Sequence, residues 1–186
     1  HLLTKEEPNP VTMLDLLKLS LRLHPTVLVP AEMRGKEALT VQEAGRTGHT
    51  IVSTLHANSA RSAYDRILTM CLEAGTSLSE ERLLKNIVEA FPIMLFKMQL
   101  PDKSRKYMEI FEATGVKDGE VAGNTLFKYE VDHYERDEAG RITKVVGSHR
   151  RVGNISPALA ERLLVNGVEL TEIRRFAGSG YRPEGG

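Results

Sequence analysis

Apolar residues recur along the chain with two periods, and the change from one to the other divides it. From 11 to 23, VTMLDLLKLSLRL places Leu14, Leu17 and Leu21 on one helical stripe and Leu16, Leu19 and Leu23 on another. Such a helix is apolar over most of its girth and should be largely buried, with Thr12 as its N-cap. His24-Pro25 ends it, because the residue before a proline is pushed out of the helical region. Two short apolar runs follow, at 27–29 and 50–55, separated by KEALTVQEAGR. That segment has room for about three turns at ~3.6 residues each, and Ala38, Val41 and Ala44 fall at helical spacing. Strand, helix, strand is the crossover unit of a parallel sheet. Pro30 has no N–H for a ladder, so the first strand should stop or bulge there.

Downstream the helical period continues, then gives way. Asn58 is placed to cap the helix ARSAYDRILTMCLEAG, in which Ala60, Ala63, Ile67, Met70 and Ala74 share a face and Gly75 supplies the stop. Ser77 with Glu80 reads as a capping box for a helix whose stripe is Leu84, Ile87, Val88 and Phe91. From Pro92 the pattern is that of strands: one hairpin turning at Pro101-Asp102 and a second around DEAG at 137–140. Between the hairpins, Gly115, Gly119 and Gly123 lie in a polar stretch expected to be a loop. Ser156-Pro157 opens a last helix, closed by Gly167. The fold class expected is α/β: parallel strands with crossover helices, extended by antiparallel β-hairpins and a C-terminal helix. The domain division expected is a disordered segment or tag remnant at 1–10, which begins without Met, a main domain at 11–155, a helical segment at 156–176 and a disordered tail at 177–186.

Composition narrows the function classes. Twenty-five basic and 25 acidic residues cancel to a formal charge of +0, which gives no sign of a broad nucleic-acid-binding surface. The single Cys71 lies among apolar helix residues; it fits a reduced compartment and excludes an internal disulfide. No stretch approaches the roughly 20 apolar residues of a membrane helix, so contact with a membrane is expected to come through partners.

The residues able to do chemistry cluster around the two short strands. Ligands gather at the carboxyl ends of parallel strands. The first strand leads into Glu32, Arg34 and Gly35; the second is preceded by Thr47, Gly48 and His49 and ends among Thr54, His56 and Asn58. His49 and His56 are seven residues apart and share a site only if a turn folds back. Taken singly, a Glu or His at a strand end is more often structural than catalytic. Two His near a Glu also raise a zinc site, but neither the i, i+4 helical spacing nor a third ligand is present. Arg61, Asp65 and Arg66 read most simply as a solvated helix face with an intrahelical ion pair. A phosphate-binding G-x-x-x-x-G-K-[ST] string is absent, since Gly35-Lys36 is followed by Glu37.

Taken together, MRGKEA, then TGHTIVSTLHANSA, then Arg66-Ile67 resemble the second half of the secretion ATPases that drive type II and type IV secretion, type IV pili and conjugation. Within that superfamily the chain is most similar to the ATPase of Flp/Tad pilus assembly, often called CpaF. The resemblance implies the C-terminal part of a RecA-like P-loop core, with HPTVLVPAEMRG as the Walker B strand, TGHTIVSTLHANS as the His box and Walker A upstream. It implies ATP and Mg²⁺ as cofactors, with Glu32 as the catalytic carboxylate and as a holder of Mg²⁺ through water. His49, His56, Arg34 and Thr54 would face the nucleotide, and Arg61 and Arg66 would couple subunits or domains. The implied partners are further copies in a hexamer and an inner-membrane platform protein, with the protein cytoplasmic and peripheral to the membrane. The chain departs from the family at Pro30 and Ala31, where a β-branched residue and Gly are usual. A non-catalytic assembly module is the competing class, favoured for this chain by the missing Walker A; a DNA translocase of related core stands behind both. The chain alone is expected to be inactive and to be a monomer or dimer.

Overall fold

A computed structural model describes Thr4, residues 10–178 and residues 180–183. The expected disordered or tag segment at 1–10 lies, Thr4 and Pro10 apart, outside the described residues. The chain forms two compact units: residues up to Pro92 together with Gly115–Val121, and Ile93–Thr114 together with the residues from Ala122 onward. The stretch expected as one domain, 11–155, therefore spans both.

The first unit is helical around a small parallel sheet. Helix α1 is Met13–Arg22, and its N-terminus is closed by a reciprocal pair in which Asp15 N–H donates to the Thr12 hydroxyl and Thr12 N–H to the Asp15 carboxylate. Only Leu17 of this helix is buried; Leu19 and Leu23 stand 46% and 67% exposed. The expectation of a largely buried helix is thus corrected, since in this chain α1 packs by one stripe alone. Strand β1, Val27–Leu28, leads through helix α2, Glu37–Arg46, to strand β2, Thr50–Ile51. β1 and β2 pair in parallel, Val27 beside Thr50 and Leu28 beside Ile51. The ladder breaks at Pro30, as its missing N–H requires, and resumes at a parallel bridge between Glu32 and Thr54.

Helices α3, Ala60–Glu73, and α4, Glu80–Ala90, complete the unit. α2 packs on α1, α3 and α4, with Ala38 and Val41 fully buried. At Gly45, α2 lies close against α4: a Cβ there would stand 3.0 Å from that of Ala90. Two caps fall one or two residues later than the sequence pattern suggests. Ser59, not Asn58, caps α3, exchanging hydrogen bonds with Ser62, and Ser79, not Ser77, caps α4, accepting from Arg82 N–H. In each case the hydroxyl immediately before the first helical residue reaches the third-residue amide, and the earlier side chain is out of range.

The second unit is built on a four-stranded antiparallel sheet in the order β3-β4-β5-β6, comprising Ile93–Gln99, Arg105–Lys117, Glu120–Arg136 and Ile142–Arg151. The segment expected as a loop between two hairpins is instead the continuous β4–β5 hairpin, turning at Asp118-Gly119. Both turn residues have positive φ, 54° and 81°, the backbone of a two-residue turn whose twist matches the strands. The β3–β4 turn is held by Asp102, which accepts from Ser104 N–H and hydroxyl and, at 2.8 Å, from Val145 N–H of β6. Leu100, Tyr129 and Val145 pack together beside it.

Two helices, α5 at Pro157–Val165 and α6 at Leu170–Ala177, follow the sheet where one had been expected to end at Gly167. Ser156 caps α5, and its backbone N–H and hydroxyl both donate to the buried carboxylate of Glu112 on β4. Leu126, Ile155, Ala160 and Ile173 form the core there. The tail expected to be disordered from 177 on is corrected in its described part. Ala177 ends α6, and Tyr181 packs against that core while its hydroxyl donates to Glu161. The aromatic ring supplies the apolar area that a Gly-Ser-rich reading of the tail leaves out.

Candidate functional site

The site grows from the interruption of the parallel ladder. Pro30 ends β1, and the chain is carried past it by side chains of the second segment: the Ser53 hydroxyl donates to Pro30 O at 2.6 Å and the Thr54 hydroxyl to Ala31 O at 2.7 Å. Met33 N–H then donates to Thr54 O at 2.8 Å. Residues 30–33 are thereby fixed alongside 53–54, and Glu32 is presented at the carboxyl end of the sheet.

Three of the expected residues meet there. The Arg34 guanidinium donates to Glu32 Oε2 at 2.6 Å, and His56 Nε2 lies 3.3 Å from Glu32 Oε1. The Glu32 side chain is only 25% exposed, whereas those of Arg34 and His56 are 77% and 90% exposed. The carboxylate is thus recessed behind two accessible nitrogen donors. The hydrogen bond from Arg34 holds the Glu32 carboxyl below the usual carboxylate range; partial burial opposes this, and the charges of Arg34 and His56 add to it. Reciprocally, Glu32 raises Arg34. A carboxylate kept ionised in this way is a weak base but a durable acceptor. It suits the water shell of a hard divalent cation, since Mg²⁺ is usually held by one or two carboxylates and keeps several waters.

The remaining expected residues stand differently. Thr54 is beside Glu32, but its hydroxyl is committed to Ala31 O. His49 lies at the opposite end of β2, with its N–H on Ala44 O and its Nδ1 buried and without a hydrogen-bond partner among the described residues. His49 and His56 are therefore not brought to one place. On α3, Arg61 donates to Val121 O at 2.6 Å, at the tip of the β4–β5 hairpin, and Arg66 is exposed. Among the described residues no group of three His, Cys, Asp or Glu could hold a metal ion.

One residue of the site escapes the sequence pattern. Glu37, at the first position of α2, accepts from Arg34 N–H at 2.6 Å and from Gly35 N–H at 3.0 Å. In the sequence it figures only as the residue that spoils a phosphate-loop string. An acidic side chain one position into a helix, directly after a Gly-Lys turn, was the available signal.

A parallel strand pair joined by a crossover helix, with a recessed carboxylate at its carboxyl end, makes this part of the chain α/β. The chain belongs to the Type II/IV secretion system protein family, whose pattern matches residues 3–106. It is 29% identical over 129 residues to a conjugal transfer protein, TrbB, of Rhizobium radiobacter, covering 69% of this chain and 36% of that protein. To the competence protein ComGA of Streptococcus pneumoniae it is 42% identical over 74 residues, covering 39% of this chain and 22% of that one. Among solved structures it is similar to the VirB11 ATPase of the Brucella suis type IV secretion system, crystallised with sulphate. That likeness has a TM-score of 0.52 at 25% identity and covers 55% of this chain and 32% of the other. The chain spans about a third or less of the length of these relatives.

Proposed function

We propose that this chain is the C-terminal half of a RecA-like secretion or pilus-assembly ATPase, of the Flp/Tad type, and that it supplies the far wall of an ATP site. The observation that carries this is the Glu32 carboxylate, recessed and kept ionised between Arg34 and His56 at the end of a parallel strand pair. Arg34 and His56, both exposed, are suited to meet phosphate oxygens, and Glu32 to orient the attacking water or hold a Mg²⁺-bound water. Because its basicity is lowered, orienting and holding are favoured over proton abstraction. The phosphate-cradling loop and its Lys lie outside this chain in the reading proposed, so hydrolysis belongs to the whole protein. That protein would work as a hexamer at a membrane platform, while the chain alone is a monomer or dimer without turnover. His49, remote from the carboxylate, would sense nucleotide only through movement of β2.

The test is Glu32→Gln in the protein carrying the upstream phosphate-binding loop. The amide has the carboxylate's size but neither its charge nor its basicity. Steady-state ATP hydrolysis should fall by more than about tenfold, a barrier increase above ~1.4 kcal/mol, with nucleotide affinity unchanged within about twofold. A smaller loss of turnover overturns the role assigned to Glu32.

A further inference from the structure

We propose that Glu37 is a positioning residue of this site, acting on Glu32 through the backbone of the turn that carries it; the inference rests on the functional reading above. Ordinary N-terminal capping satisfies the first amides of the helix itself, through a side chain just before it. Here Lys36, in the capping position, makes no side-chain cap bond, and Glu37 reaches backward out of the helix. Its Oε1 accepts both the Arg34 and the Gly35 amide, at 2.6 and 3.0 Å. The groups it satisfies therefore belong to the turn, not to α2. The consequence runs in one direction. α2 is anchored by buried Ala38 and Val41, Glu37 ties Arg34 and Gly35 to that anchor, and the Arg34 guanidinium holds Glu32 Oε2.

Two carboxylates thus grip one residue from different sides, Glu37 by its amide and Glu32 by its side chain. The Arg34 side chain is 77% exposed, and an exposed ion pair is ordinarily too weak to hold its two long side chains in one geometry. Fixing the arginine's backbone removes part of the freedom that weakens such pairs. Gly35 leaves the space open: a Cβ there would sit 3.6 Å from Glu37 Oε2, an ordinary contact. The closeness of the amides to Glu37 is thus a property of the carboxylate's reach, not of crowding at the glycine.

The test compares Glu37→Ala with Glu37→Gln, whose carbonyl oxygen can still accept both amides. In this chain, hydrogen exchange at the Arg34 and Gly35 amides should quicken in Glu37→Ala and stay near the parent rate in Glu37→Gln. In the protein with the complete ATP site, Glu37→Ala should lower kcat on the order of ten- to a hundredfold, the scale expected when a reacting group is misplaced by about 1 Å. KM for ATP should move less than about threefold, and Glu37→Gln should recover most of the loss. Unchanged exchange in Glu37→Ala overturns the proposal, as does a Glu37→Gln variant no better than Glu37→Ala. Glu32→Gln is the companion measurement: if it abolishes turnover while Glu37→Ala leaves kcat intact, this inference fails alone, and if it leaves turnover intact, the reading of the site itself fails.

Discussion

Asp102 shows what a single carboxylate does for the sheet unit. Its hydrogen bonds from the Ser104 hydroxyl, then from Val145 N–H, hold its carboxyl below the ordinary carboxylate range, against the opposing effect of partial burial. A depressed folded-state value contributes stability that is complete above the unfolded value, ~3.9 for Asp, and is lost as pH falls through the lowered one. Asp102→Ala should therefore melt at a lower temperature than the parent chain at pH 7, and the gap should narrow as the pH is brought below the ordinary Asp value. Melting curves at several pH values measure this, and a gap equally wide at both ends would contradict it. Glu32 has the same sign of shift from a different cause, the Arg34 guanidinium. Cys71 goes the other way: burial in α3 pushes its thiol up to about 12, so it serves as a small core residue and not as a nucleophile.

Among the elements, the β4–β5 hairpin is one that the residue pattern hid. Three glycines spaced by four in a polar stretch read as a loop, yet Gly115 and Gly123 lie in the two strands and Gly119 in the turn between them. Gly119 takes the positive φ that the turn requires. Gly123 lies under the ring of Phe111, where a Cβ would stand 2.6 Å from the ring and closer still to Glu112 O. The Asp-Gly pair at 118–119 was the stronger signal, since it specifies a two-residue hairpin turn. Gly123→Ala should accordingly destabilise the sheet unit by at least about 1–3 kcal/mol, the usual cost of forcing a methylene into a packed site. Urea unfolding would measure it, and a change below a few tenths of a kcal/mol would show that the strand yields freely. The crossover unit was legible because Ala38, Val41 and Ala44 recur at helical spacing between two apolar runs. The capping residues were displaced because Asn58 and Ser77 are good caps in isolation, and only the first helical residue's position decides which hydroxyl is used. α6 was hidden because LTEIRRFA has one buried residue, Ile173, too few to set a period.

For the molecule as a whole, the secretion family was legible in strings that join the two short strands, and Glu32, Arg34 and His56 do meet in space. The boundary at Pro92 was legible in the change from helical to strand period, whereas the assignment of the hairpin tip Gly115–Val121 to the first unit was not. No local pattern reports a contact of that range. The central claim is that this chain carries one wall of an ATP site whose phosphate cradle lies elsewhere in the protein. A calorimetric titration of the 186-residue chain with Mg-ATP tests it most directly. With the exposed Arg34 and His56 meeting phosphate in the absence of an amide cradle, binding should be weaker than about 1 mM, equivalent to less than ~4.1 kcal/mol; a dissociation constant in the low micromolar range would contradict the account.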